Sequence, residues 1–202
     1  MKVLNYEQGT PEWLASRAGK VTASMMGAVL AAPSTAAYRD YQSQLVAEIL
    51  TGKPQGSDFT NDYMKYGTEM EPFARAAYES HRLVMVDEVG LVIHPTIDRA
   101  GASPDGIVGE GLVEIKCPKL STHLGYILDD VAPLKYRNQM QWQMACTRAK
   151  WVDFVSYRPE LPEHLQLFII RYDRDDKKIE SMEKAVVEFL TKIDELLKKL
   201  EK

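Results

Sequence analysis

Apolar residues recur along this chain with two different periods, and the period changes where the character of the chain changes. Pro11 is placed to open a helix whose apolar face includes Trp13 and Leu14. A second, short helix is expected over VTASMMGAVL, with Thr22 or Ser24 as its cap. YRDYQSQLVAEIL shows helical spacing and stops at Gly52 and Pro54, residues 56–62 read as loop, and helix resumes through MKYGTEMEPFARAAYES. The period then shortens. LVMVDEVGLVIHP predicts one or two strands, ASPDGIVGEG a turn, and LVEIKCP a short strand ended by Pro118. PLKYRNQMQWQMACTRA is helical. WVDFVSYRP and LQLFIIRYD are strands able to pair with each other. In the closing amphipathic helix Ile179, Met182, Val186, Phe189, Ile193, Leu196 and Leu200 share one stripe. This order predicts an α/β (α+β) fold: a mixed central sheet flanked by helices, with a helical N-terminal region.

Composition narrows the class. With 202 residues the chain is long enough for one domain, 1–202, with a full core, and 45% apolar with 27% charged residues is a globular balance. No apolar run approaches the roughly 20 residues of a membrane span. The first residues lack the basic-then-apolar shape of a secretory signal, so no membrane role and a cytoplasmic location are expected. Cys117 and Cys146 are too few and too far apart for a metal knuckle or a disulfide framework, and are expected in or near the core. The net charge of −4 argues mildly against a nucleic-acid partner, but carboxylates gathered to hold cations lower the charge of a metal-free protein. The charge is also uneven: Lys135, Arg137, Arg148, Lys150 and Arg158 stand against Asp153 alone in residues 134–158.

The most informative segment is SPDGIVGEGLVEIKCP. Asp105 falls in a turn, while Glu114 and Lys116 lie two apart on a strand and so share a face. Val113, Ile115 and Cys117 take the other. A hairpin would bring Asp105 to the start of the charged face, completing a PD-(D/E)xK pattern. Two carboxylates and the main-chain carbonyl of Ile115 suit Mg²⁺ or Mn²⁺. Such an ion polarises a phosphate and acidifies a water that Lys116 can orient or deprotonate. A salt-bridged surface hairpin has the same three residues, so the triplet alone does not decide. On the preceding helix either Glu69 or Glu71 can reach the site as a further ligand. Gln139 and Gln143 share a helix face with Tyr136 and Met140, suited to a phosphate or to a ligating carboxylate. Arg17 and Ser24 are a candidate phosphate clamp.

Several blocks together resemble a known family. EWLASRAGKVTAS, YGTEMEP, AGASPDGIVGEGLVEIKCP, YRNQMQWQMACTRAKWVDFVSY and LFIIRYDRDDKKIESMEKAVVEFLTKIDELL, in this order, are similar to the phage lambda-type exonucleases, grouped with the YqaJ-like viral recombinase nucleases of the PD-(D/E)xK superfamily. The resemblance implies that Asp105 bridges two Mg²⁺ ions, that Glu114 and the carbonyl of Ile115 ligate one, and that Glu71, rather than Glu69, ligates the other. It makes Lys116 the catalytic lysine and matches Gln139, with Tyr136 before it, and the pair Arg17 and Ser24 to the phosphate-binding residues. It further implies a 5′-to-3′ exonuclease on linear, 5′-phosphorylated double-stranded DNA, a homotrimeric ring, a single-strand annealing partner, and a phage or prophage origin in a bacterial host. The alternatives are an endonuclease or structure-specific nuclease on the same fold, or a catalytically silent DNA-binding protein.

Overall fold

The computed structural model describes residues 1–55 and 62–201, with only the backbone of 62–64; most of the expected loop at 56–62 lies outside these. The chain folds as a mixed α/β structure in which helices flank two four-stranded mixed sheets, matching the restriction-endonuclease-like architecture.

The N-terminal region is less helical than its spacing suggests. Strand β1 (Lys2–Leu4) precedes helix α1 (Pro11–Arg17), and strand β2 (Val21–Thr22) follows it. Pro11 does open α1, with the Thr10 side chain accepting the Trp13 N–H. The helix buries none of its residues fully, and Leu14 is exposed. The expected capped helix over VTASMMGAVL is broken into β2, a 3-10 turn (Ala23–Met25) and helix α2 (Met26–Val29), and Thr22 makes no side-chain cap bond. The reason is tertiary: Val21 and Thr22 pair in parallel with Ala100 and Gly101, which holds them extended. Helix α3 (Ala36–Thr51) ends where the sequence stops it, with Gly52 in the left-handed conformation at φ 65°. Helix α4 runs Asp62–Arg82.

Of LVMVDEVGLVIHP, β3 (Leu91–Ile93) forms a strand and Asp87 an isolated bridge to Ile107. The expected turn ASPDGIVGEG instead holds the end of β4 (Ala100–Ala102) and all of β5 (Gly106–Val108), and the reversal narrows to Gly109–Glu110 before β6 (Gly111–Lys116). One sheet has the order β1-β3-β4-β2. The other is β5-β6-β7-β8, with β7 (Trp151–Tyr157) parallel to β6 and antiparallel to β8 (Leu167–Asp173). Gly111 is required by packing, since a Cβ there would lie 2.2 Å from the Trp151 ring.

Helix α5 (Leu120–Asp129) was not evident from the spacing. Helix α6 (Leu134–Thr147) is central: Met140 through Cys146 are all buried, because it packs against β4, the 3-10 turn, α2, β7 and the final helix. Burial all round explains its weak amphipathic pattern. A short helix α7 (Glu163–Gln166) precedes β8, and α8 (Asp176–Leu200) covers the core with Ile179, Met182, Val186, Phe189 and Ile193; the stripe runs out at Leu200, which is exposed. Cys146 is buried and Cys117 half-buried. No helix among the described residues is long and apolar enough to cross a membrane.

Candidate functional site

Strand β6 lies between β5 and β7 with α4 against one face and α6 meeting the other through Glu114, so its side chains are enclosed on both faces. Val113, Ile115 and Cys117 join a core patch with Ala74 and Tyr78 of α4. Glu114 and Lys116 point to the opposite side. The β5–β6 register sets Gly106 against Val113, which places Asp105 beside Glu114, and Asp105 Oδ2 accepts the Ile115 N–H at 2.6 Å.

Around this corner three oxygens gather on one cationic atom. Lys116 Nζ donates to the Ile115 carbonyl at 2.8 Å, and lies 2.5 Å from Glu114 Oε1 and 3.7 Å from Asp105 Oδ2. Glu114 is fully buried and is held by two amides from one face of α6: Gln139 Nε2 donates to Oε1 at 2.6 Å and Gln143 Nε2 to Oε2 at 2.5 Å. Burial first, then Asp105, pushes the Glu114 carboxyl up to about 7. Burial disfavours the Lys116 charge, but Glu114 and Asp105 outweigh it and raise its pKa, so the ammonium is retained. Glu71, on α4, accepts from Arg75 at 3.1 Å, and Arg75 is also paired with Glu88. Burial and then Asp105 raise the Glu71 carboxyl, so its charge is felt at the same centre, whereas Glu69 is exposed.

The donor set fits a hard divalent cation. Among the described residues no three His, Cys, Asp or Glu side chains form a metal cluster. The convergence is instead of two carboxylates and a main-chain carbonyl, all oxygen donors, on a position now taken by an ammonium.

A second feature adjoins the first. Trp13, Arg17, Thr22, Ser24, Ser103 and Gln139 line a cavity of about 120 Å³. The Arg17 guanidinium lies 4.0 Å from the Trp13 ring centroid, and Trp13 Nε1 donates to Ser103 Oγ at 3.1 Å. Among the described residues the Arg17 side chain makes no hydrogen bond or ion pair; burial lowers its pKa, with Tyr41 and Glu48 opposing. Its position follows from the end of α1. The buried Glu48 carboxylate accepts the Gly19 N–H at 2.7 Å, and Gly19 turns the chain at φ 70°. Arg17 and Ser24 are thus neighbours across a turn, not along a continuous helix. Gln139 belongs to both features, lining the cavity while donating to Glu114.

Other expected residues lie differently. Tyr136 does not line this cavity: its ring stacks on Phe154 at 5.6 Å, with Lys135 Nζ 4.6 Å and Lys116 Nζ 5.5 Å from its centroid. The basic stretch 134–158 is not one positive face. Arg158 is buried, donating to the Pro118 carbonyl and to Glu160, and Lys150 pairs with Glu110. Gln143 belongs to the site, and the signal for it was its spacing of four from Gln139 in an otherwise core helix.

Comparison with known proteins agrees with this architecture. The family model described as the YqaJ-like viral recombinase domain matches residues 12–150. The alkaline exonuclease LHK-Exo from Laribacter hongkongensis is 44% identical with a TM-score of 0.90, covering 95% of this chain and 96% of that one, and has also been solved in complex with dAMP. A phage-related exonuclease from Haemophilus somnus shares the fold at 16% identity and a TM-score of 0.73, over 90% of this chain and 96% of that one. An uncharacterized mimivirus protein from Acanthamoeba polyphaga mimivirus is 27% identical over 169 residues; that match takes in 76% of this chain and 30% of the relative's length.

Proposed function

The chain belongs to the YqaJ-like viral recombinase family, homologous to phage and viral exonucleases of the PD-(D/E)xK type over most of its length, and on that premise we propose that it is a Mg²⁺-dependent 5′-to-3′ exonuclease. It degrades one strand of linear double-stranded DNA to mononucleotides and leaves a 3′ overhang. The observation that carries the reading is the meeting of Asp105, Glu114 and the Ile115 carbonyl on one cation position, joined through Gln139 to a cavity lined by Arg17. The complex of LHK-Exo with the mononucleotide dAMP supports the product class.

In this reading Asp105, Glu114 and the Ile115 carbonyl would hold one Mg²⁺ ion, and Asp105 with Glu71 a second; Mn²⁺ would substitute. Mg²⁺ held there would supply Lewis-acid chemistry, polarising the scissile phosphate and acidifying a water. Lys116 exchanges Glu114 for the substrate: its retained charge offsets the negative charge that builds on the phosphate, and its N–H groups orient the attacking water. Arg17 and Ser24 take the 5′ phosphate, the guanidinium as a forked donor and the hydroxyl beside it. Gln139 has a second N–H with which to reach the same phosphate. Tyr136 lines the approach and carries Lys116 against its ring. Residues 1–202 act as one nuclease domain in the cytoplasm of a bacterial host, as a homotrimeric ring that feeds a single-strand annealing protein in phage-type recombination.

The test uses purified protein, Mg²⁺ and a 5′-phosphorylated, end-labelled linear duplex beside a covalently closed circle, with EDTA controls. Release of labelled mononucleotides from the linear 5′ end, with the circle intact, is the expected result. Cutting of the circle moves the function to an endonuclease, and no cleavage with Mg²⁺ or Mn²⁺ moves it to a DNA-binding protein.

A further inference from the structure

Glu114 has three side-chain partners, and they differ in how free they are to leave. Lys116 Nζ and Gln139 Nε2 both bind Oε1, and both lie where a substrate would draw them: Lys116 at the cation position and Gln139 on the wall of the cavity with Arg17 and Ser24. Among the described residues Gln143 alone binds Oε2, at 2.5 Å. Its side chain is fully buried, between the fully buried Met140 and Met144 turns of α6.

Gln143 is also an awkward residue for its place. Its Oε1 is buried and has no hydrogen-bond partner among the described residues. A Met or Leu would fill the same volume and leave no such orphan. The amide therefore answers to one contact, the one to Glu114, and the unpartnered oxygen leaves nothing to compete for its orientation. The helix beneath it is well anchored. Gln141 donates to the Asp173 carbonyl at 2.8 Å and accepts the Asp175 N–H at 2.9 Å, and Arg174 donates to the Met144 carbonyl at 2.5 Å. Gln143 thus projects from a helix fixed to the β8–α8 connection toward a carboxylate on the central strand.

We propose that Gln143 is a positioning residue for the metal centre: it holds Glu114 through Oε2 when Lys116 and Gln139 turn to the substrate, keeping Oε1 aimed at the ion. This rests on the metal-dependent reading above. Partners of a ligating carboxylate are commonly worth about 10- to 100-fold in metal affinity or activity.

The test is Mn²⁺ binding to the full chain without DNA, followed by electron paramagnetic resonance, in wild type, Gln143→Met, Gln141→Met and Asp105→Ala. Gln143→Met is expected to fold, to bind Mn²⁺ about tenfold more weakly, and to shift the Mg²⁺ concentration for half-maximal cleavage by the same factor, with turnover largely restored at saturating Mg²⁺. Gln141→Met, which loses polar contacts of the same helix away from the centre, is expected to lower thermal stability and leave Mn²⁺ affinity alone. If Gln143→Met does not fold, Gln143→Asn carries the same expectation, since the shorter amide cannot span the gap. Wild-type affinity in either folded variant, beside a clear loss in Asp105→Ala, overturns the positioning role while the metal reading stands. Absence of Mn²⁺ binding in wild type, or binding untouched by Asp105→Ala, overturns the metal reading and the positioning role with it.

Discussion

Two carboxylates on neighbouring strands, Glu114 of β6 and Asp153 of β7, are both fully buried, and they are held in opposite ways. Asp153 pairs across the sheet with Val113 and so faces the side away from Glu114. Arg171 grips it with two donors at 2.7 and 2.9 Å, Tyr78 donates at 2.9 Å, and Arg82 lies at 3.7 Å. The Arg171 guanidinium in turn lies 3.5 Å from the Trp151 ring centroid. Among the described residues Glu114 meets no arginine; it is held by two neutral amides and the Lys116 ammonium, beside a cavity. Burial of a carboxylate therefore does not mark function. The forked Arg171 ties β8 to Asp153 of β7, and Tyr78 and Arg82 bring α4 to the same carboxylate. The two amides carry no charge of their own, and Lys116 is the cation that Glu114 meets.

The comparison breaks most sharply on the ligand side. Asp105→Ala is expected to lower cleavage by at least on the order of 10³-fold while leaving the fold intact, because it removes a site carboxylate and no core volume. Near wild-type rates in a linear-duplex assay would sink the site assignment. Lys116→Ala is expected to lower turnover by on the order of 10²-fold or more and to keep metal binding; loss of binding in a titration would instead make the lysine structural. Asp153→Asn should do the converse. It leaves Arg171 without its carboxylate and is expected to lower stability by about 3 kcal/mol, the low end for a broken buried pair because Arg171 is 45% exposed. Urea denaturation reads this, and the metal affinity of the folded variant should match wild type.

Two smaller effects sharpen the contrast. The Glu114 carboxyl titrates at about 7, above its ordinary 4.5, and a metal must displace its proton at lower pH. Mn²⁺ affinity is therefore expected to be level above pH 7 and to fall by about tenfold per pH unit below it; affinity flat from pH 5 to 8 would remove Glu114 from the ligand set. Arg17→Ala is expected to slow cleavage from 5′-phosphorylated ends by about tenfold and to change 5′-hydroxyl ends little. Equal losses on both would take Arg17 out of end recognition.

Local pattern alone carried much of this protein. The Pro11 start, the Gly52 stop, the β7–β8 pair and the α8 stripe are local signals, written in turn chemistry and periodicity. The pairing of Asp105 with Glu114 and Lys116 was legible for the same reason, since a hairpin and a two-residue alternation suffice to place them on one face. What the tertiary structure alone decided is non-local. The extended state of Val21–Thr22 comes from pairing with β4, against a spacing that reads as helix. That Glu71 is half-buried while Glu69 is exposed comes from how α4 lies on β6, and the neighbourhood of Arg17 and Ser24 from a turn anchored by Glu48, far along the chain. The contrast between Glu114 and Asp153 is the clearest case. Each is one acidic residue in an apolar strand, and nothing nearby in sequence says which will meet an arginine and which two glutamines, because those partners arrive from helices and strands that only the folded chain brings together.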